Sequence, residues 1–167
     1  MDERLKNVQI EMIRHDAGTP KRIQHFLKVH AFAKLIAEME GIDSETLFIL
    51  ETAAYVHDIG IKPAMEKYDS HAGYLQEQEG PPLAIELLKR VGGYTDEQIA
   101  RIAYLVGHHH TYKGVSGIDY RILVEADFLV NLYESESRYK AILAAEQNVF
   151  ETESGKWILH EQFGIEA

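Results

Sequence analysis

Histidine and aspartate recur in this sequence where a helical core would want apolar side chains. His25 stands in KRIQHFLKVHAFAKLIA, His57 and Asp58 are neighbours in ETAAYVHDIG, and Asp127 interrupts RILVEADFLVNL. Tyr120, Leu123, Val124 and Val130 lie three, four or seven residues from Asp127, so a helix there puts its carboxylate on an apolar stripe. An ionised carboxylate in that setting is costly unless it is paired or bound to a cation. His25 falls in line with Val29, Phe32 and Ile36, and His57 with Leu47, Leu50 and Ala54. Helix neighbours point about 100° apart, so His57 and Asp58 converge only where the backbone turns out, and Gly60 marks such a place. Taken singly, each residue reads more simply as a satisfied core histidine, a histidine at a helix C-terminus or a partnered aspartate. Taken together, three helices that each offer such a group from an apolar face predict a metal centre of two imidazoles and two carboxylates. That donor set suits Zn, Fe, Mn or Ni.

A second group is more conspicuous. His108, His109 and His110 stand in a row within YLVGHHHTYKG, in the interior of a chain with nine histidines. Adjacent side chains diverge on a helix, so the run is expected at a C-terminal end, before Gly114. His30 is read as structural, and His15 and His160 as surface residues.

These groups need helices to hold them. The apolar periodicity is helical nearly throughout, with little of the alternation expected of strands. Segments are predicted at about 3–15, 20–40, 44–58, 64–77, 81–91, 96–109, 119–133, 137–148 and 153–162. Gly41 follows the second, Asp43 or Ser44 can cap the third, Pro81 and Pro82 can open the fifth, and Gly92-Gly93 close it. Thr95 with Gln98 resembles a capping box for the sixth. The expectation is an all-α fold, a single helical domain over 1–167, with its chemistry in about 20–135 and C-terminal helices over about 137–162. Near the C-terminus, Phe150, Trp157, Ile158 and Phe163 mark either a core face or a homodimer contact.

The totals exclude several classes. The chain has 167 residues, 46% of them hydrophobic, enough to fold around a core. It has no cysteine, so disulfides and thiolate sites are ruled out. No apolar run approaches the roughly 20 residues that span a bilayer, and the charged start is unlike a secretory signal; a cytoplasmic protein with no membrane partner is expected. A net charge of −10 opposes long nucleic acid as a partner. A small phosphorylated compound remains compatible if bound cations reverse the local sign.

In order, His25, His57-Asp58 and Asp127 resemble the signature of the HD superfamily of metal-dependent phosphohydrolases: a His, an adjacent His-Asp, and a distant Asp. The settings RIQHFLKVHAFA, AAYVHDIG and RILVEADFLVNL are similar too, over about residues 20–135. The resemblance implies an HD-domain, phosphodiesterase-like helix bundle with His25, His57, Asp58 and Asp127 as primary ligands. Two-metal relatives add an adjacent His pair with a Gly five residues beyond it; counting back from Gly114 implies His108 and His109 and leaves His110 over, as either a proton donor or a bystander. Their remaining histidine would fall near Gln76, where none stands. Glu77 is the implied substitute, with Glu79 and His71 as rivals. HDIGIKP departs from relatives in which Lys directly follows the Gly, because Ile61 intervenes.

What the resemblance implies is hydrolysis of a phosphate ester of a small, nucleotide-like substrate by metal-activated water. The cofactor would be one or two divalent ions: Fe, Mn, Zn, Ni or Co, with Mg at a second site. Asp58 would bridge two ions, and His110 or a water on the second site would protonate the leaving group. With one ion, His108 and His109 would be free to hold phosphate. Arg22, Lys62, Lys67 and Lys113 are further phosphate contacts to weigh against ordinary solvated cations. Two other readings remain: a metal- or nucleotide-binding regulatory module without turnover, and a di-iron oxygenase.

Overall fold

Residues 1–166 are described by the computed structural model, and among them there are nine helices and no strand. In order they are α1 (Glu3–His15), α2 (Pro20–Met39), α3 (Ser44–Val56), α4 (Ile61–Tyr68), α5 (Gly73–Val91), α6 (Asp96–Val106), α7 (Ile118–Glu134), α8 (Tyr139–Asn148) and α9 (Glu153–Phe163). The expected all-α fold is what forms. No described helix is long and apolar enough to cross a membrane.

Local sequence explains most of the boundaries. Asp43 caps α3 by accepting from the Thr46 N–H at 2.8 Å. Thr95 and Gln98 form the predicted capping box: Thr95 Oγ1 accepts from the Gln98 N–H at 3.1 Å, and Gln98 Oε1 from the Thr95 N–H at 2.9 Å. Gly41 leaves α2 at φ 69°, a left-handed geometry that glycine adopts without a steric penalty.

The middle of the chain departs from expectation. The predicted helices at about 64–77 and 81–91 are instead a short α4 and a long α5, and α5 runs straight through Pro81 and Pro82. Each proline removes one backbone donor. The helix persists because Leu75, Ala84, Leu87 and Leu88 bury its apolar face on both sides of the interruption. Packing here outweighs local propensity.

α2, α3 and α7 form the centre. α2 packs against both α3 and α7, while α6 lies on α3 and also on α5. The core runs through Phe26, Val29, Leu50, Ala54, Ile102, Leu105, Leu123 and Leu129, all at most 1% exposed. Farther along, Glu125 is buried and accepts from the N–H groups of Glu151 and Thr152 at 2.9 and 3.0 Å and from the Thr152 hydroxyl at 2.6 Å, tying the start of α9 to α7. Phe150 and Ile158 join the core, whereas Trp157 is half exposed.

Gly60, just before α4, lies directly against the backbone of α5. A Cβ there would meet the Gln76 carbonyl oxygen and lie 2.8 Å from the Gly80 nitrogen, both backbone atoms that cannot swing aside. Gly60→Ala is therefore expected to destabilise the fold by about 1–3 kcal/mol. In a chain of this size that is a melting temperature lower by about 2–12 °C, to be read by calorimetry.

Candidate metal centre

Four side chains from α2, the end of α3, and α7 meet at one point. His25 Nε2 lies 3.1 Å from Asp127 Oδ1 and 3.1 Å from Asp58 Oδ2. His57 Nε2 lies 3.3 Å from Asp58 Oδ2, 3.4 Å from Asp127 Oδ1 and 3.3 Å from His25 Nε2. His25, His57 and Asp127 are buried, and Asp58 is partly open to a cleft. α3 ends at Val56, and the turn that follows brings the neighbouring His57 and Asp58 side chains together.

The tautomers follow from the other ring nitrogens. His57 Nδ1 donates to the Ala54 carbonyl at 2.7 Å, and His109 Nδ1 to the Val106 carbonyl at 2.7 Å. Nδ1 of His25 donates to Glu134 Oε1 at 2.5 Å. In the neutral rings each Nε2 then carries a lone pair, aimed at carboxylate oxygens. His109 Nε2 is the sharpest case: it is completely buried, has no hydrogen-bond partner, and faces Asp58 Oδ1 at 3.2 Å. Acceptors facing acceptors in a dry interior require a cation or protons between them. The donor set of imidazole nitrogen and carboxylate oxygen fits a divalent transition ion. His25, His57 and Asp58 form one group able to hold such an ion; Asp58, His109 and His110 form another. Asp58 belongs to both, with Oδ2 on the first side and Oδ1 on the second.

The histidine run lies just after α6, as expected, but its members divide differently. His108 is in neither group. Its Nδ1 donates to the Tyr104 carbonyl at 2.7 Å, and its ring stacks on Tyr104 with centroids 4.0 Å apart. The residues grouped with Asp58 are His109 and His110, whereas the count back from Gly114 implied His108 and His109. Gln76 fixes His110 from behind. The amide of Gln76 donates to the His71 carbonyl at 2.8 Å, leaving its oxygen to accept from His110 Nε2 at 2.8 Å.

Glu77 does not join either group. It accepts from the Thr111 hydroxyl at 2.9 Å and the His110 N–H at 3.3 Å, and so braces the histidine turn. Its rival Glu79 pairs with Lys67 at 3.0 Å. His30 is structural, as expected, with Nε2 on Glu51 Oε1 at 3.0 Å and its ring stacked on Tyr55. His15 and His160 are half-buried rather than free on the surface, held by the Ile59 carbonyl and by Glu146.

Beside the cluster opens a cleft of about 590 Å³, reached by His25 and Asp58 and lined also by Thr19, Lys21, Arg22, Ile61, His71, Asn131, Glu134 and Ser135. Of the four cations weighed from sequence, Arg22 alone lines it; Lys21 joins it unforeseen. Arg22 is held only loosely, 3.7 Å from Asp16. Gln76 and Glu134 were also missed. Glu134 was within reach of sequence reasoning, because it lies seven residues after Asp127 and so on the same helix face.

Charges in the cluster are strongly coupled. Burial opposes a proton on His25, but hydrogen bonds to Asp127 and Asp58 and their negative charge outweigh it, and the pKa rises to about 11. Burial likewise opposes a proton on His57, and the Asp58 charge with hydrogen bonds to both aspartates raises it to about 10. The carboxyls move the other way: against burial, His57, His109 and His25 hold Asp58 well below its ordinary range, and His25 and His57 lower Asp127.

A model of the HD domain matches residues 22–151. Among solved structures, a predicted HD superfamily hydrolase from an uncultured Thermotogales bacterium is similar, with a TM-score of 0.65 and 23% identity over 96% of this chain and 83% of that one. No curated protein sequence matches significantly.

Without metal, His25 and His57 both hold protons at pH 7, and an incoming ion must displace them. Metal binding is expected to release about two protons, with affinity rising as pH rises toward 10. Calorimetry of Mn²⁺ binding in buffers of different ionisation enthalpy measures this; an uptake without proton release would contradict it. In the metal-free chain the raised histidine pKa values add stability that is whole below about pH 6.5 and gone above about pH 11.

Proposed function

The chain belongs to the HD-domain family, and from that premise we propose that it is a metal-dependent phosphohydrolase acting on a small, nucleotide-like phosphate ester. The observation that carries this reading is the convergence of His25, His57, Asp58 and Asp127, whose ring nitrogens and carboxylate oxygens face one another 3.1–3.4 Å apart. These four would hold the first ion, and Asp58 with His109 and His110 a second. When bound, such an ion supplies Lewis acidity, which lowers the pKa of water and offsets charge on phosphoryl oxygens.

The chain's own groups supply the rest. Arg22 and Lys21 stand at the start of α2 on the wall of the cleft, where they can take the non-reacting phosphate oxygens. Arg22 suits this role, since its guanidinium presents several donors in a fixed plane and its hold on Asp16 is loose. Asn131 and Ser135 offer hydrogen bonds to hydroxyl or base groups of the ester, and Ile61 an apolar wall. The cleft volume falls within the range of about 300–1,000 Å³ usual for small-molecule sites. An overall charge of −10 repels a long polyanion while the local cations attract a small one. His110 could pass a proton to a leaving group only after releasing Gln76.

The test is phosphate release from a panel of nucleotides and other phosphate esters by protein reloaded with Mn, Fe, Co, Ni, Zn or Mg. Hydrolysis with at least one transition ion is expected. Asp58→Ala should lower it by more than the ten- to hundredfold typical of residues that merely support ligands, and should lower bound metal in the same sample. No cleavage with any ion, or full activity in Asp58→Ala, would overturn the reading.

A further inference from the structure

His25 is anchored differently from the other two imidazoles. His57 and His109 follow the last residues of α3 and α6, where the carbonyls of Ala54 and Val106 have no helical partner and can accept from Nδ1. His25 lies inside α2, where the carbonyls behind it are engaged by the helix itself. Its Nδ1 has no backbone acceptor and reaches across to the last residue of α7, Glu134, at 2.5 Å.

Glu134 is placed for this by its position on α7, and it also lines the cleft beside the cluster. It follows Asp127 by two helical turns, so one face of α7 presents both the carboxylate in the cluster and the carboxylate behind it. Its second oxygen lies 3.5 Å from Lys28 Nζ, and that ammonium sits 5.3 Å from the Tyr133 ring. Lys28 is three residues from His25 on α2, so the contact from Glu134 to α2 is double. Neither ion group includes Glu134.

We propose that Glu134 is a positioning residue for the metal centre: by accepting the Nδ1 hydrogen of His25 it fixes the ring and leaves Nε2 bare toward Asp58 and Asp127. This rests on the metal-dependent reading above. Without the acceptor, His25 can rotate about its side-chain bonds or move its hydrogen to Nε2, and either change removes one of the four donors. A carboxylate behind a ligating imidazole also raises the donor strength of the ring.

The experiment measures metal binding and does not depend on turnover. Metal-stripped wild type, Glu134→Leu and Glu134→Gln are titrated with Co²⁺, read by calorimetry and by the visible absorption of the bound ion. Glu134→Leu removes the acceptor and is expected to weaken binding ten- to hundredfold and alter the spectrum. Glu134→Gln keeps an oxygen that can accept from Nδ1, and is expected to recover most of the affinity. Thermal melting of the metal-free variants separates this effect from misfolding, and the near-isosteric Gln variant serves if the Leu variant is unstable. Glu134→Leu binding within twofold of wild type overturns the proposal, as does a Gln variant as weak as the Leu variant. If wild type itself takes up no ion, the metal-dependent reading falls and this inference with it.

Discussion

Three imidazole nitrogens and two aspartates face one another in a nearly dry interior, and this is the constraint on which the site depends. Hydrophobic packing cannot account for it, since lone pairs directed at carboxylates repel. Protons can satisfy it, which is why His25 and His57 are driven to pKa values of about 11 and 10 in the metal-free chain. A divalent cation satisfies it better, because one ion can meet several donors at once. The fold holds these groups together at a cost, and α2, α3 and α7 provide the necessary rigidity by packing on one another.

The sequence made the clustered side chains legible because they break a pattern. Asp127 stands among Leu123, Val124 and Val130, and each of those neighbours is buried as the helical spacing requires. His25 and His57 could be picked out for the same reason. The caps were legible too, since the roles of Thr95 and Gln98 involve residues three apart. Less legible was anything set by contacts between distant segments. Pro81 and Pro82 signal a helix start locally, yet the burial of Leu75 and Leu88 carries α5 past them. Glu77 is acidic and near the right place in sequence, but its direction is decided by Thr111, more than thirty positions on.

Electrostatics separates the cleft from the rest of the surface. The chain as a whole carries −10, and the cluster itself adds buried carboxylates, so an anionic substrate would be repelled without local compensation. Arg22 and Lys21 provide some, placed at the N-terminal end of α2 where the helix dipole has the same sign. A bound divalent ion would complete the reversal.

The three adjacent histidines show how little residue type says without backbone direction. Had α6 continued, successive side chains would have diverged by about 100° and only one could have faced Asp58. The helix ends at Val106, and the turn that follows is braced by Glu77 on the His110 N–H and by Tyr120, whose hydroxyl donates to the His108 carbonyl at 2.9 Å. Each ring consequently meets a different environment. His108 lies on Tyr104 and contributes packing; His109 presents a bare nitrogen to Asp58; His110 is held by Gln76 at the margin. The residue with no hydrogen-bond partner at Nε2 is the informative one. A buried imidazole nitrogen left empty by its neighbours has a function only if something else fills it, and among the three that description fits His109.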